Sequence, residues 1–180
     1  SGMPESPENA DPRCFARADL DEAVGRLVEV IRRTRPQVIL TYGDDQEGYP
    51  HPDHLRVHEI SIVAWDAAGD PERFPEAGPP WTPSKLYYST WSRARFTAMH
   101  QGFLDAGLES PFDQRWFDRP SQDHRITTQI DITGYYAVRS AALRAHATQI
   151  DPEERFWFGL SDEIAESAYP YEDYELADSR

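Results

Sequence analysis

Six residues, Gln37-Val38-Ile39-Leu40-Thr41-Tyr42, constrain this chain more than any other stretch. They are mostly apolar and partly β-branched, and they lie between two segments with helix grammar. Before them, Asp19 is a good N-cap, and Glu22 three residues on gives the capping-box spacing. Ala23, Val24, Leu27, Val28 and Ile31 then share one face at helical period. Arg32, Arg33 and Arg35 sit toward the C-terminal end, where cations suit the helix dipole, and Pro36 stops the helix. After the run, a loop from Gly43 to Pro50 leads to Pro52, a favoured first helical residue, with His51 in front of it. Val57, Ile60, Ser61 and Ala64 carry that second helix to about Ala68. Helix, strand, loop, helix is α/β order. The apolar run predicts a strand buried on both faces, as in a parallel sheet.

The remainder is less regular. Residues 69 to 84 are rich in Pro and Gly and read as a surface crossing. Lys85 to Thr90 is a second strand candidate, Arg93 to Ala106 a helix ended by Gly107, and 108 to 124 a loop with several aromatics. Arg125 to Ile132 alternates like a half-buried strand. Tyr135 to about Gln149 reads as a helix, and Glu172 to Leu176 as a short terminal strand. Neither loop separates halves that could each bury a core, so residues 1 to 180 are expected to form one domain.

Composition excludes some roles. The formal charge of −14 repels a nucleic-acid backbone or an anionic membrane surface. No apolar run reaches the ~18 residues of a membrane span. Cys14 is the only cysteine, so neither an internal disulfide nor a Cys-x-x-Cys metal knuckle exists, and a cytoplasmic protein is the plainer reading. Residues 1 to 12 lack the basic and apolar regions expected of a signal peptide.

Chemistry concentrates between the first strand and the second helix. Three of six histidines, His51, His54 and His58, fall within eight residues. If His51 caps the helix, His54 lies in its first turn and His58 on the same face four residues on. Neutral imidazoles bind Zn²⁺ or Fe²⁺, so His54 and His58 have the spacing for two corners of a metal site. Leu55 stands where a zinc-protease helix carries its Glu, which argues against that chemistry. Asp53 is placed to orient His51 and raise its pKa. A protonated His51 would stabilise an oxyanion and donate to a leaving amine. Tyr49, beside Gly48, adds a hydrogen-bond donor. The blander readings are a helix cap, a surface histidine, and solvated loop acids for Asp44, Asp45 and Glu47. His100 and His124 stand singly and read as structural. His146, with Gln149 near it, is either a structural hydrogen-bonder at a helix end or a pocket residue.

The run Gly48-Tyr49-Pro50-His51-Pro52-Asp53-His54 resembles the second metal-site motif of the LmbE-like de-N-acetylase family. Three further stretches resemble one branch, the mycothiol S-conjugate amidases. They are Leu27-Val28-Glu29-Val30-Ile31-Arg32-Arg33 with Arg35-Pro36, Lys85-Leu86-Tyr87-Tyr88, and Leu143 to Pro152. The resemblance implies a Rossmann-like α/β fold, a parallel sheet with flanking helices, of which this chain is the C-terminal portion. It implies one Zn²⁺, or Fe²⁺, at the carboxyl ends of the strands. It makes His54 the metal ligand, His51 the oxyanion stabiliser and general acid, Asp53 the partner of His51, and Tyr49 a mobile donor. His58 matches no family ligand, so the resemblance gives it a supporting role instead.

The family's other two ligands and its general base come from a His-Pro-Asp-Asp-Glu motif that appears nowhere in these residues. The expectation is that about the first third of the family fold lies outside this chain, or else that Met3 is a true start behind Ser1-Gly2. Alone, such a chain would bind zinc weakly and not turn over. The implied function is zinc-dependent hydrolysis of an amino-sugar amide in a small thiol-glycoside, a mycothiol S-conjugate, as part of thiol detoxification. The sister reading is N-deacetylation of an N-acetylglucosaminyl substrate in mycothiol or antibiotic biosynthesis. The reading from another class is a metal-free ligand- or partner-binding fragment. Expected partners are the small substrate, the missing N-terminal part and, in an oligomer, further copies of the chain.

Overall fold

A computed structural model describes residues 1–46 and 48–180. Glu47, one of the loop acids named above, lies outside the described residues. Where the sequence reading keeps one domain, the chain divides into two compact units: residues 1–89 with 176–180, and residues 90–175.

The first unit begins with a short helix, α1 (Pro7–Ala10), and then α2 (Leu20–Thr34). The Asp19 carboxylate accepts from the Glu22 N–H, as a capping residue should, and α2 ends at Arg35 in a left-handed conformation just before Pro36. Strand β1 (Val38–Tyr42) follows, then α3 (Pro52–Ala67) and β2 (Lys85–Thr90), which runs parallel to β1 with Tyr42 opposite Ser89. Val24, Val28 and Ile31 of α2 pack against Ile60, Ala64, Ala67 and Ala68, and small residues at that seam let the helices approach. Thr41 donates a buried hydrogen bond to Ser61, tying β1 to α3.

One expectation about β1 fails. Ile39 and Thr41 turn toward the core, but Val38, Leu40 and Tyr42 are 46, 56 and 39% exposed. The run is apolar throughout, yet β1 is an edge strand with one face uncovered, so the burial inferred from composition does not hold.

A buried arginine organises the crossing from 67 to 78. Arg32 is 2% exposed, and its hydrogen-bond partners among the described residues are all backbone carbonyls. Its Nε donates to the Ala68 carbonyl, Nη1 to Phe74 and Gly78, and Nη2 to Ala67, Asp70 and Arg73, at 2.6 to 3.2 Å. The cation thus serves carbonyls that the end of α3 leaves without helical partners, where positive charge is also favoured.

The second unit contains α4 (Arg93–Asp105), α5 (Gln114–Asp118), β3 (Thr128–Asp131), α6 (Tyr136–Arg144), α7 (Arg155–Phe158) and α8 (Asp162–Ala168). Its core is aromatic, built on Phe103, Phe112, Tyr136 and Tyr169 with Phe96, Trp116 and Phe156 against them. The last strand, β4 (Tyr171–Ser179), pairs antiparallel with β3 over Tyr171–Tyr174 and ends within the first unit. Hydrogen bonding orders the sheet β1-β2-β4-β3, so the fold is α/β with a mixed rather than wholly parallel sheet. The expected helix from 135 stops at Arg144, and 145–150 is turn. Among the described residues no helix is long and apolar enough to cross a membrane.

Candidate active site at the start of the second long helix

Four rings gather where β1 ends and α3 begins. Tyr42, the last residue of β1, stacks on His54 with ring centres 4.0 Å apart and planes 13° apart. Tyr49 lies 5.9 Å from His51 and 5.4 Å from His54, and the two imidazoles are 5.1 Å apart. The sequence builds this simply. Pro52 begins α3 without needing an N–H partner, and Pro50 is the centre of a tight turn in which the His51 N–H donates to the Tyr49 carbonyl at 2.8 Å. His51 is the N-cap: its Nδ1 accepts the Asp53 N–H at 3.1 Å. A neutral His51 in this pose therefore carries its proton on Nε2, the donor free to face a ligand.

His54 is half-buried against the tyrosines, not packed into the helix core. Burial first, and the neighbouring His51 second, hold its imidazole below the ordinary histidine pKa, with Asp53 pulling the other way. It is therefore neutral near pH 7, with a ring nitrogen available to a metal. Burial raises the Tyr42 hydroxyl pKa, and Tyr49 adds to the rise.

The Asp53 carboxylate is engaged otherwise than by His51. The Ser1 ammonium donates to Oδ2 at 2.7 Å and the Ser1 hydroxyl to Oδ1. Burial pushes this carboxyl up, but the Ser1 ammonium and hydroxyl outweigh it, and the net shift is downward, with His51 contributing.

His58 does not turn toward the other two rings' ligand side. Its Nδ1 is 2.9 Å from the Tyr42 carbonyl, which requires an Nδ1–H donor, and its ring meets Tyr88 edge-on at 5.4 Å. It supports the end of β1. His100 bonds the Ser110 hydroxyl and packs on Phe117. His124 is exposed in a turn, and His146 and Gln149 are exposed in the turns after α6, all in the second unit. The sequence reading missed Tyr42, whose place at a strand end beside three histidines was its only signal. It also missed Gln46, whose Nε2 donates to the Gly43 and His54 carbonyls while its buried Oε1 has no partner among the described residues.

Among the described residues, no three His, Cys, Asp or Glu side chains converge as a metal site needs. The donor set of the described residues does not fit a self-sufficient zinc centre.

No family model matches the chain. It is 44% identical over 191 residues to a mycothiol S-conjugate amidase of Streptomyces coelicolor, covering 99% of this chain and 63% of that protein. It is 40% identical to the 1D-myo-inositol 2-acetamido-2-deoxy-alpha-D-glucopyranoside deacetylase of Streptomyces avermitilis, covering 98% and 60%, and 40% identical to such a deacetylase of Frankia alni, covering 98% and 62%. The chain thus spans about three fifths of the length of these relatives. A likeness of fold alone links it to the crystal structure of 4-carboxy-2-hydroxymuconate hydratase from Pseudomonas putida KT2440, at TM-score 0.53 and 17% identity, covering 91% of this chain and 61% of that one.

Proposed function

Because the chain belongs to the LmbE-like family, along with these amidases and deacetylases, we propose that it supplies the acid-and-donor half of an amide hydrolase. The substrate we infer is a mycothiol S-conjugate, a small thiol-glycoside whose amide joins an amino sugar to an acyl group. The Tyr42–His54–His51–Tyr49 cluster carries this reading: a neutral imidazole held by stacking beside a second imidazole whose Nε2 is free to donate.

Within it, His54 is one ligand of a Zn²⁺ or Fe²⁺ ion, and the remaining corners come from outside these 180 residues. The metal, when bound, supplies Lewis acidity and an activated water. The residues present do the rest of the positioning. His51 Nε2–H and the Tyr49 hydroxyl donate to the oxyanion that forms as the amide carbonyl is attacked. For the leaving amine His51 must be protonated on both nitrogens. Nδ1 then becomes a donor and gives up the Asp53 N–H; the Asp53 carboxylate in the same turn is the acceptor we assign to it. Asp53 thereby keeps the ring oriented as its charge changes.

The test is hydrolysis by the full-length protein of a bimane-type thiol conjugate, compared with N-acetylglucosaminyl-inositol. Preferential cleavage of the conjugate supports the amidase reading; preferential deacetylation moves the assignment to the sister activity. Failure to cleave either with metal present overturns both in favour of a binding module.

A further inference from the structure

Tyr49, the donor beside the two imidazoles, has little packing to fix it. It is 57% exposed and stands between Gly48 and Pro50. Its ring nonetheless lies 5.9 Å from His51 and 5.4 Å from His54. A residue so exposed is held by its tethers rather than by burial. Its carbonyl accepts the His51 N–H, and its own N–H donates to the Gln46 carbonyl at 3.0 Å.

Gln46 is where those tethers meet. Its amide nitrogen carries two hydrogens and serves two carbonyls. One is Gly43 at 2.9 Å, where the loop leaves β1, and the other is His54 at 3.3 Å, in the first turn of α3. A single side chain thus joins the start of the loop to the helix that carries His54, while its main chain holds Tyr49. The His54 ring has a separate support, its stack on Tyr42 at 4.0 Å. Packing does not explain a glutamine at this position. Its Oε1 is buried with no partner among the described residues, a cost that an apolar side chain of similar length would avoid.

We propose that Gln46 is a positioning residue, a latch that holds the Tyr49 ring against the His51–His54 pair. Its effect on turnover rests on the amide-hydrolase reading above; its effect on geometry does not. On the unaltered 180-residue chain, the Gln46 side-chain amide protons should exchange about tenfold more slowly than those of an exposed glutamine. Unprotected protons overturn the proposal, whatever the variants do. Q46M keeps the length of the side chain and removes both the donors and the unpartnered acceptor, so the urea midpoint should not fall. In that variant the ring-to-ring nuclear Overhauser contacts of Tyr49 with His54 should be lost, while those of Tyr42 with His54 remain. Intact Tyr49 contacts in folded Q46M overturn the proposal. So does loss of the Tyr42 contacts as well, which would make Gln46 a general support of the junction. In the full-length protein, Q46M should lower kcat for the bimane conjugate roughly ten- to hundredfold, the scale of a displaced donor, with KM and zinc content unchanged. Q46M/Y49F should be no slower than Y49F alone, because Gln46 acts through that hydroxyl; losses that multiply overturn the proposal. If the unaltered full-length protein cleaves no amide, the hydrolase reading falls, and exchange and ring contacts decide for or against the latch.

Discussion

Replacing Arg32 by Met is the sharpest test of how the first unit is held together. The methionine keeps most of the apolar stem but removes donors serving six carbonyls. Four of these, on Ala67, Ala68, Asp70 and Phe74, also accept a backbone N–H, so each retains one partner. The carbonyls of Asp70, Arg73, Phe74 and Gly78 lie on a surface crossing and can rehydrate if it loosens. Those of Ala67 and Ala68 belong to residues with 0% exposure and cannot. Each keeps its backbone partner, and losing the charge-assisted hydrogen bond from Arg32 at these two buried carbonyls, at about 1.5–3 kcal/mol each, gives a loss of about 4 kcal/mol. That is a large share of the roughly 5–15 kcal/mol that stabilises a domain. Urea unfolding of R32M, followed by tryptophan fluorescence, should show the midpoint lowered accordingly. Amide exchange should quicken at Asp70, Arg73, Ala77 and Trp81, whose N–H groups bond to the carbonyls that Arg32 gathers. R32K, with three donors on a compact ammonium, should recover only part of the loss. A cost below about 1 kcal/mol for R32M, or unchanged exchange at those four amides, would refute the reasoning.

Other expectations concern charge and chemistry. Burial pushes the Glu172 carboxyl up, but Arg95 and then Arg139 hold it lower still on balance. The folded state then binds fewer protons than the unfolded one, so stability is full above the ordinary carboxylate range and falls with acid through it. A melting-temperature series against pH should show this decline, and E172Q should flatten it. The His54 ring should titrate below an ordinary histidine in proton NMR; a normal or raised value would contradict its burial beside His51. In the full-length protein, H54A should abolish metal binding, and retention of stoichiometric zinc by metal analysis would count against its assignment as ligand. H51A there should keep the metal and lose about 10²–10⁴-fold in rate, the scale of a lost acid–base group, and near-normal turnover would remove His51 from that role.

How far the sequence could be read depended on local chemistry. The α2 boundaries follow from Asp19 and Pro36, and those of α3 from His51-Pro52, because capping and proline geometry act within a few residues. The clustering of His51, His54 and Tyr49 was legible for the same reason. The exposure of Val38 and Leu40 was not, since an apolar run carries no record of whether a layer covers it. The aromatic core of the second unit was equally opaque. Phe112, Trp116 and Phe156 come from short helices and loops with no period to count. The helix expected through His146 and Gln149 stops at Arg144 because the Ala145–Gln149 stretch closes into successive turns, Gln149 bonding back to His146. His51 as the cap was expected, but Ser1 on Asp53 joins residues too far apart in sequence for spacing to reveal.

The end of β4 has a consequence for the order in which the protein is made. Trp65 donates to Asp178, Arg180 pairs with Asp66 and lies 4.7 Å over the Trp65 ring, and the Arg180 N–H bonds the Ser84 carbonyl. The unit bearing the His51–His54–His58 cluster is therefore discontinuous along the polypeptide. During translation it must wait, with β2 lacking its β4 neighbour, while some eighty-six intervening residues emerge from the ribosome, roughly 4–17 seconds at usual elongation rates.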